Sequence, residues 1–229
     1  MNVGSHILVA ARISDDVDQW LGAALPDFAA IGRFHLQVPP ESWPDGRDQP
    51  IRVGIALHHR TDEAFHRHPW FTERVQILRH RLEAQGIARG PARAIAHVGP
   101  EMLLDGALLG GHQPRIDATF AALDHHRPSL ADWTRSTTVD WAAHLERLVE
   151  HGLPSDYGDP AAVARRLLRI LAGRPRLGFE ANQLGIVIAE LEAQYPTIAS
   201  EAIDFFDVIV RASRPEHRTD EAGWSDWSG

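Results

Sequence analysis

The sequence predicts an all-α fold, a single-domain helical bundle, and three observations carry that prediction. Apolar residues recur at helical spacing in one segment after another. Helix start and stop signals bracket those segments, and no stretch shows the strict alternation of a half-buried strand. The 229 residues suit one domain, read as 1–213, and a hydrophobic fraction of 44% is enough for a sizeable core.

The elements follow in order. Residues 15–31 (DDVDQWLGAALPDFAAI) read as a helix capped by acidic residues and shortened or kinked at Pro26. Pro39, Pro40, Pro44 and Pro50 make 35–50 a loop. Residues 51–66 place Val53, Ile55, Leu57, Ala64 and Phe65 at helical spacing. Residues 69–86 open on Pro69 and close on Gly86, the usual helix asymmetry. The span 91–109 reads as a helix that Gly99-Pro100 bends or divides. Between 111 and 158, Pro114, Pro128 and Pro154 leave short helical patterns near 115–124, 129–134 and 138–151. Asp159-Pro160 opens a helix over 159–173 as N-cap and first-turn proline. Residues 178–194 and 198–212 read as two closing amphipathic helices, and the polar tail 214–229 as disordered.

Composition narrows the function classes. A net charge of -8 argues against general nucleic-acid binding, which wants a basic surface. Every basic residue is Arg, so any phosphate contact would be a planar, forked guanidinium. Cysteine is absent, which excludes disulfides, thiolate nucleophiles and Cys-ligated zinc. Any metal would therefore sit among His, Asp and Glu, ligands suited to Mn, Mg, Fe or Zn. Residues 1–10 lack the pattern of a signal peptide, and no apolar run is long enough to span a bilayer. The expectation is a soluble, cytoplasmic protein.

With 14 His, most must first be discounted. His35, His80, His112, His144, His151 and His217 stand alone on polar or loop stretches and read as surface residues. His125 and His126 follow Asp124 at a helix end, where they complement the helix dipole. The stretch GIALHHRTDEAFHRHP (54–69) differs, because His58 and Asp62 are four apart and share a helix face. His59 and His66, two turns apart, share another. Alone, this reads as a solvated helix with an exposed His–Asp pair; joined by other ligands, it is how bundles build metal sites. His6 lies in an apolar run (Ile7, Leu8, Val9), as a satisfied core histidine does, and Asp27 lies between Pro26 and Phe28. Glu101 and Asp105 form an i, i+4 carboxylate pair on a helix rich in Met102, Leu103, Leu104 and Leu108. They either face water or, if buried, need a cation or hydrogen-bond donors.

Taken in order, these residues resemble the acyl carrier protein phosphodiesterase family over roughly 1–212. That family opens with a segment like MNFLAHLHLA, where this chain reads MNVGSHILVA, keeping Asn2 and His6. A motif like IGNLLADFVKG is matched by LGAALPDFAAIG, keeping Gly22, Leu25, Asp27 and Phe28. The most specific, GIRLHRAIDSFTDSHP, is matched with Gly54, Ile55, Leu57, His58, Asp62, His68 and Pro69. A segment like VDVFYDHFLA corresponds to PEMLLDGALL, with Glu101 for one Asp and Asp105 retained.

The resemblance implies an HD-phosphohydrolase-like helical fold and a divalent metal, manganese first, with Mg, Fe or Zn as alternatives. It implies a metal site drawn from His6, Asp27, His58, Asp62 and Asp105, and release of 4′-phosphopantetheine from holo acyl carrier protein. Asp27, His59 and His68 are the catalytic candidates, and Arg60, Arg67, Arg174 and Arg176 the phosphate-holding ones. Arg74, Arg79, Arg81, Arg89 and Arg93 form a candidate docking face for an acidic carrier. The chain departs from the family at Gly106, where the family has His, at His66, where it has Asp, and at Ala23, where it has Asn. Other readings are a phosphohydrolase of a small nucleotide-like substrate and an inactive relative that binds a carrier protein.

Overall fold

The computed structural model describes residues 1–39, 43, 45–134 and 140–215, so the expected disordered tail lies outside the described residues from 216 onward. They form α1 (Val3–Ile13), α2 (Val17–Gly32), α3 (Gln49–Arg67), α4 (Pro69–Ala84), α5 (Arg89–Leu108), α6 (Gln113–His126), α7 (Trp141–His151), α8 (Pro160–Ala172) and α9 (Leu184–Ser213). A single 3-10 turn, Ala181–Gln183, precedes α9. Among the described residues the only strand-like pairing is an isolated bridge between Leu36 and Thr134. The fold is all-α, one helical domain.

The centre of the bundle is α1, which touches α2, α3, α5, α6 and α9. Every residue from Val3 to Ala10 is buried. A helix enclosed on all sides needs no solvent-facing polar side, and the buried stretch carries only Ser5 and His6 as polar side chains. That is why residues 3–13 carry no helix prediction. The start of α1 is fixed twice over. The Asn2 side chain accepts from the Val3 N–H. Asp105 Oδ2 accepts from the Gly4 N–H and Oδ1 from the Ser5 N–H, each at 2.9 Å.

The walls around α1 close on small residues. A methyl group at Gly22 would lie 2.1 Å from the Ile51 carbonyl oxygen, and one at Gly54 2.2 Å from that of Gln19. α2 and α3 thus cross backbone to backbone, and the crossing sets Asp27 and His58 against the same end of α1.

Three helices run through proline. Pro26, Pro100 and Pro196 lie inside α2, α5 and α9. Each removes one i→i−4 hydrogen bond, yet buried side chains on both sides hold the axis: Ile95 and Met102 around Pro100, Leu191 and Ile198 around Pro196. So α5 is undivided, and the two expected closing helices are one helix of 30 residues. Residues 129–134 form turns, not a helix. Among the described residues no helix is long and apolar enough to cross a membrane.

Candidate metal centre

Three helices deliver four ionisable side chains to one place. His6 comes from the first turn of α1, Asp27 from α2 just after Pro26, and His58 and Asp62 from successive turns of α3. His6 Nδ1 is 2.9 Å from Asp27 Oδ2, and His6 Nε2 is 3.2 Å from Asp62 Oδ1. His58 Nε2 is 3.5 Å from Asp62 Oδ2, and the His6 and His58 rings are 4.0 Å apart. Donor atoms of His6, Asp27 and His58 all lie within 4.8 Å of one another. The amino group of Met1 lies 2.9 Å from Asp62 Oδ1.

The tautomers follow from the partners. A carbonyl oxygen can only accept, so His58 Nδ1, 2.9 Å from Ala23 O, carries the proton and Nε2 keeps its lone pair. That lone pair faces a carboxylate oxygen across 3.5 Å. Two acceptors facing one another are repulsive until a cation enters between them. His6 Nε2 is buried and has no hydrogen-bond partner, because its 3.2 Å approach to Asp62 is poorly aligned. Asp27 holds the ring by Nδ1 and turns Nε2 inward, the carboxylate–histidine arrangement that orients metal ligands.

The charges are as uneven as the partners. Burial works against a charged His6, but the Asp27 charge and hydrogen bond outweigh it and raise the imidazole to about 9. Burial, then the neighbouring His6 charge, lowers His58 to about 4. Burial would raise Asp62, yet His6, the amino group and His58 hold it well below the usual carboxylate range. A neutral buried imidazole beside a firmly ionised carboxylate is a donor set for a divalent ion.

The other expected residues lie elsewhere. Asp105 is wholly buried, and its oxygens accept from Gly4 N, Ser5 N and the Ser5 hydroxyl, so it anchors α1 and is not turned to the cluster. Burial, opposed by those hydrogen bonds, lifts it to about 6. His68 caps α4, its Nδ1 accepting from Trp70 N at 3.1 Å. His59 is exposed, its ring edge-on to His58. Arg60 and Arg67 lie about 200° and 180° around α3 from His58, and they line a shallow hollow with Ala212 and Arg214. Arg174 and Arg176 are exposed between α8 and the 3-10 turn. The Arg176 carbonyl packs at Gly90, roughly 10 Å along α5 from His97.

Compared with family models, curated proteins and solved structures, the chain has no match. The resemblance above therefore rests on the quoted motifs alone. Gly106, the departure from the family histidine, has a structural cause. A methyl group there would sit 2.2 Å from Gly158 N and Tyr157 C, so the loop before α8 closes directly on α5.

A second group went unseen in the sequence: donor atoms of His66, His97 and Glu101 also lie within 4.8 Å of one another. His66 Nδ1 meets the Asp62 carbonyl at 2.9 Å. The i, i+4 spacings Asp62–His66 and His97–Glu101 were the available signal. His144, expected at the surface, is buried with Nε2 2.8 Å from Phe28 O. His126 lies in the last turn of α6 as expected, and is buried with Nε2 2.9 Å from Asp18 Oδ1.

Proposed function

We propose that this chain is a metal-dependent phosphodiester hydrolase whose ion is held by His6 and His58, with Asp27 and Asp62 completing the set. The observation that carries the reading is the meeting of the His6 and His58 ring nitrogens with two carboxylates, brought from three helices to one place. A divalent ion there would polarise a phosphoryl oxygen and lower the pKa of bound water. The chain's own residues supply the rest. Asp27 fixes the His6 ring and Ala23 O fixes the His58 ring, while both imidazoles are buried.

Holo acyl carrier protein is the proposed substrate, supported by the ordered motifs from Asn2 to Asp105. One observation favours a smaller phosphodiester. Of the proposed docking arginines, Arg74 pairs with Glu201, Arg79 with Glu83 at 3.9 Å and Arg81 with Glu190 at 3.8 Å. That leaves Arg89 and Arg93, both exposed, as the remainder of the basic face. The test is to incubate the manganese-loaded protein with holo acyl carrier protein and follow the carrier's mass. Loss of phosphopantetheine is the expected result. An intact carrier alongside turnover of bis(p-nitrophenyl) phosphate would move the substrate to a small diester, and no turnover of either would overturn the hydrolase reading.

A further inference from the structure

We propose that His66, His97 and Glu101 form a second divalent-cation site beside the first, with imidazoles more exposed than those of the first. The donors of the two sites are separate, so the new site stands on its own geometry; only a part for it in hydrolysis would rest on the reading above.

The spacing is that of ligands around one ion. His66 Nε2 lies 3.1 Å and His97 Nε2 3.4 Å from the same oxygen, Glu101 Oε1. Bonds of about 2.1 Å at tetrahedral or octahedral angles put neighbouring ligands roughly 3.0–3.5 Å apart. The His66 tautomer points the same way. Its Nδ1 donates to the Asp62 carbonyl, 2.9 Å away, which fixes the ring and aims Nε2 at the Glu101 carboxylate, 3.1 Å away. A backbone carbonyl fixing the remote nitrogen is the usual means of orienting a histidine ligand.

The rings are held before any ion arrives. His66 and His97 stack in parallel, 5.1 Å apart with an interplanar angle of 1°, and Phe71 from α4 meets both edge-on at 5.3 Å. Glu101 is 11% exposed, and its Oε1 faces both imidazoles with the Met1 amino group 3.8 Å away. The His66 and His97 side chains are 34% and 48% exposed, which gives an ion and its waters a way in. Two imidazoles and one carboxylate with open positions suit Zn, Fe or Mn, and not Ca, which takes six to eight oxygens.

The two sites meet at Asp62. Its carboxylate faces His6 and His58, while its carbonyl holds His66. The experiment loads metal-free protein with Zn²⁺, the stronger binder in the usual affinity order, removes excess by dialysis and counts ions per chain by mass spectrometry. Wild type is expected to hold two. His97→Ala and Glu101→Gln should each hold one, as should His6→Asn, with His58→Gln as the second inner variant should His6→Asn not fold. One ion in wild type that His6→Asn abolishes and His97→Ala keeps would overturn the second site and leave the first standing. One ion with the reverse pattern would keep the second site and overturn the first. A single ion lost in both variants would merge the groups into one site and overturn the proposal, and no ion in wild type would overturn both. Circular dichroism and melting of His97→Ala, at a half-exposed position, should match wild type.

Discussion

The inner group of His6, Asp27 and His58 and the outer group of His66, His97 and Glu101 share similar ligand chemistry in opposite surroundings. The inner imidazoles are at most 5% exposed and the outer ones a third to a half. Inside, each ring nitrogen is assigned by a neighbour that cannot move: Asp27 next to the Pro26 turn of α2, and the Ala23 carbonyl at the Gly22–Gly54 crossing. Outside, the rings are positioned by each other and by Phe71. The inner group thus depends on helix packing, and the outer group on two i, i+4 steps along α3 and α5. Damage to packing should empty the first and spare the second.

The largest expected effect comes from Gly54→Ala, whose methyl group would meet the Gln19 carbonyl at 2.2 Å and Ala23 N at 2.8 Å. Forcing α2 from α3 should cost about 1–3 kcal/mol of stability, as overpacking does. Thermal denaturation reads the loss, and inner metal binding should fall while outer binding survives. Asp27→Asn comes next. It keeps the shape but removes the charge that orients His6, so inner metal affinity should drop about 10–100-fold, read by competition with a chelator. Equal losses at both groups would erase the distinction between them.

A third histidine, outside both groups, calibrates what burial alone does. His144 has a backbone carbonyl and no carboxylate as its partner, and burial lowers its pKa. The unfolded chain takes up a proton near the ordinary histidine value of about 6.5 while the folded chain resists, so stability should fall as pH drops below that value. Denaturant midpoints from pH 7.5 to 5.5 should show the decline, to which the lowered His58 contributes in the same direction, so His144→Phe should lessen its slope without removing it. The smallest effect is expected at Arg67→Ala. This exposed residue pairs with Glu63 at 2.6 Å on the far side of α3, so stability should change by less than about 0.5 kcal/mol. Metal content should not change, and a loss of bound ion would place Arg67 nearer the site than the helix geometry does.

These contrasts also explain what could be read in advance. The amphipathic helices α3, α4 and α8 show their period and their proline or glycine punctuation, and the structure places them within a few residues of the expected spans. α1 was hidden because it is buried on every side from Val3 to Ala10, and α5 and α9 because proline is a local signal while their continuity comes from packing. Of the candidate site, His58 and Asp62 are visible as one helical turn. His6 and Asp27 gain meaning only as members of an ordered set of motifs. Asp105 was picked out for the same reason, yet its carboxylate is used up at the start of α1, which no spacing reveals. His66 and His97 lie on different helices, and only the fold brings His97 to the turn of α3 that carries Asp62.

The central claim is that the inner histidines hold a metal, and anomalous diffraction at the manganese edge from Mn²⁺-soaked crystals tests it most directly. The account predicts a peak about 2.0–2.3 Å from both His6 Nε2 and His58 Nε2, bordered by Asp62 and lost in His58→Gln. A fully soaked crystal with no peak between those nitrogens, or with manganese only at the outer group, would contradict it.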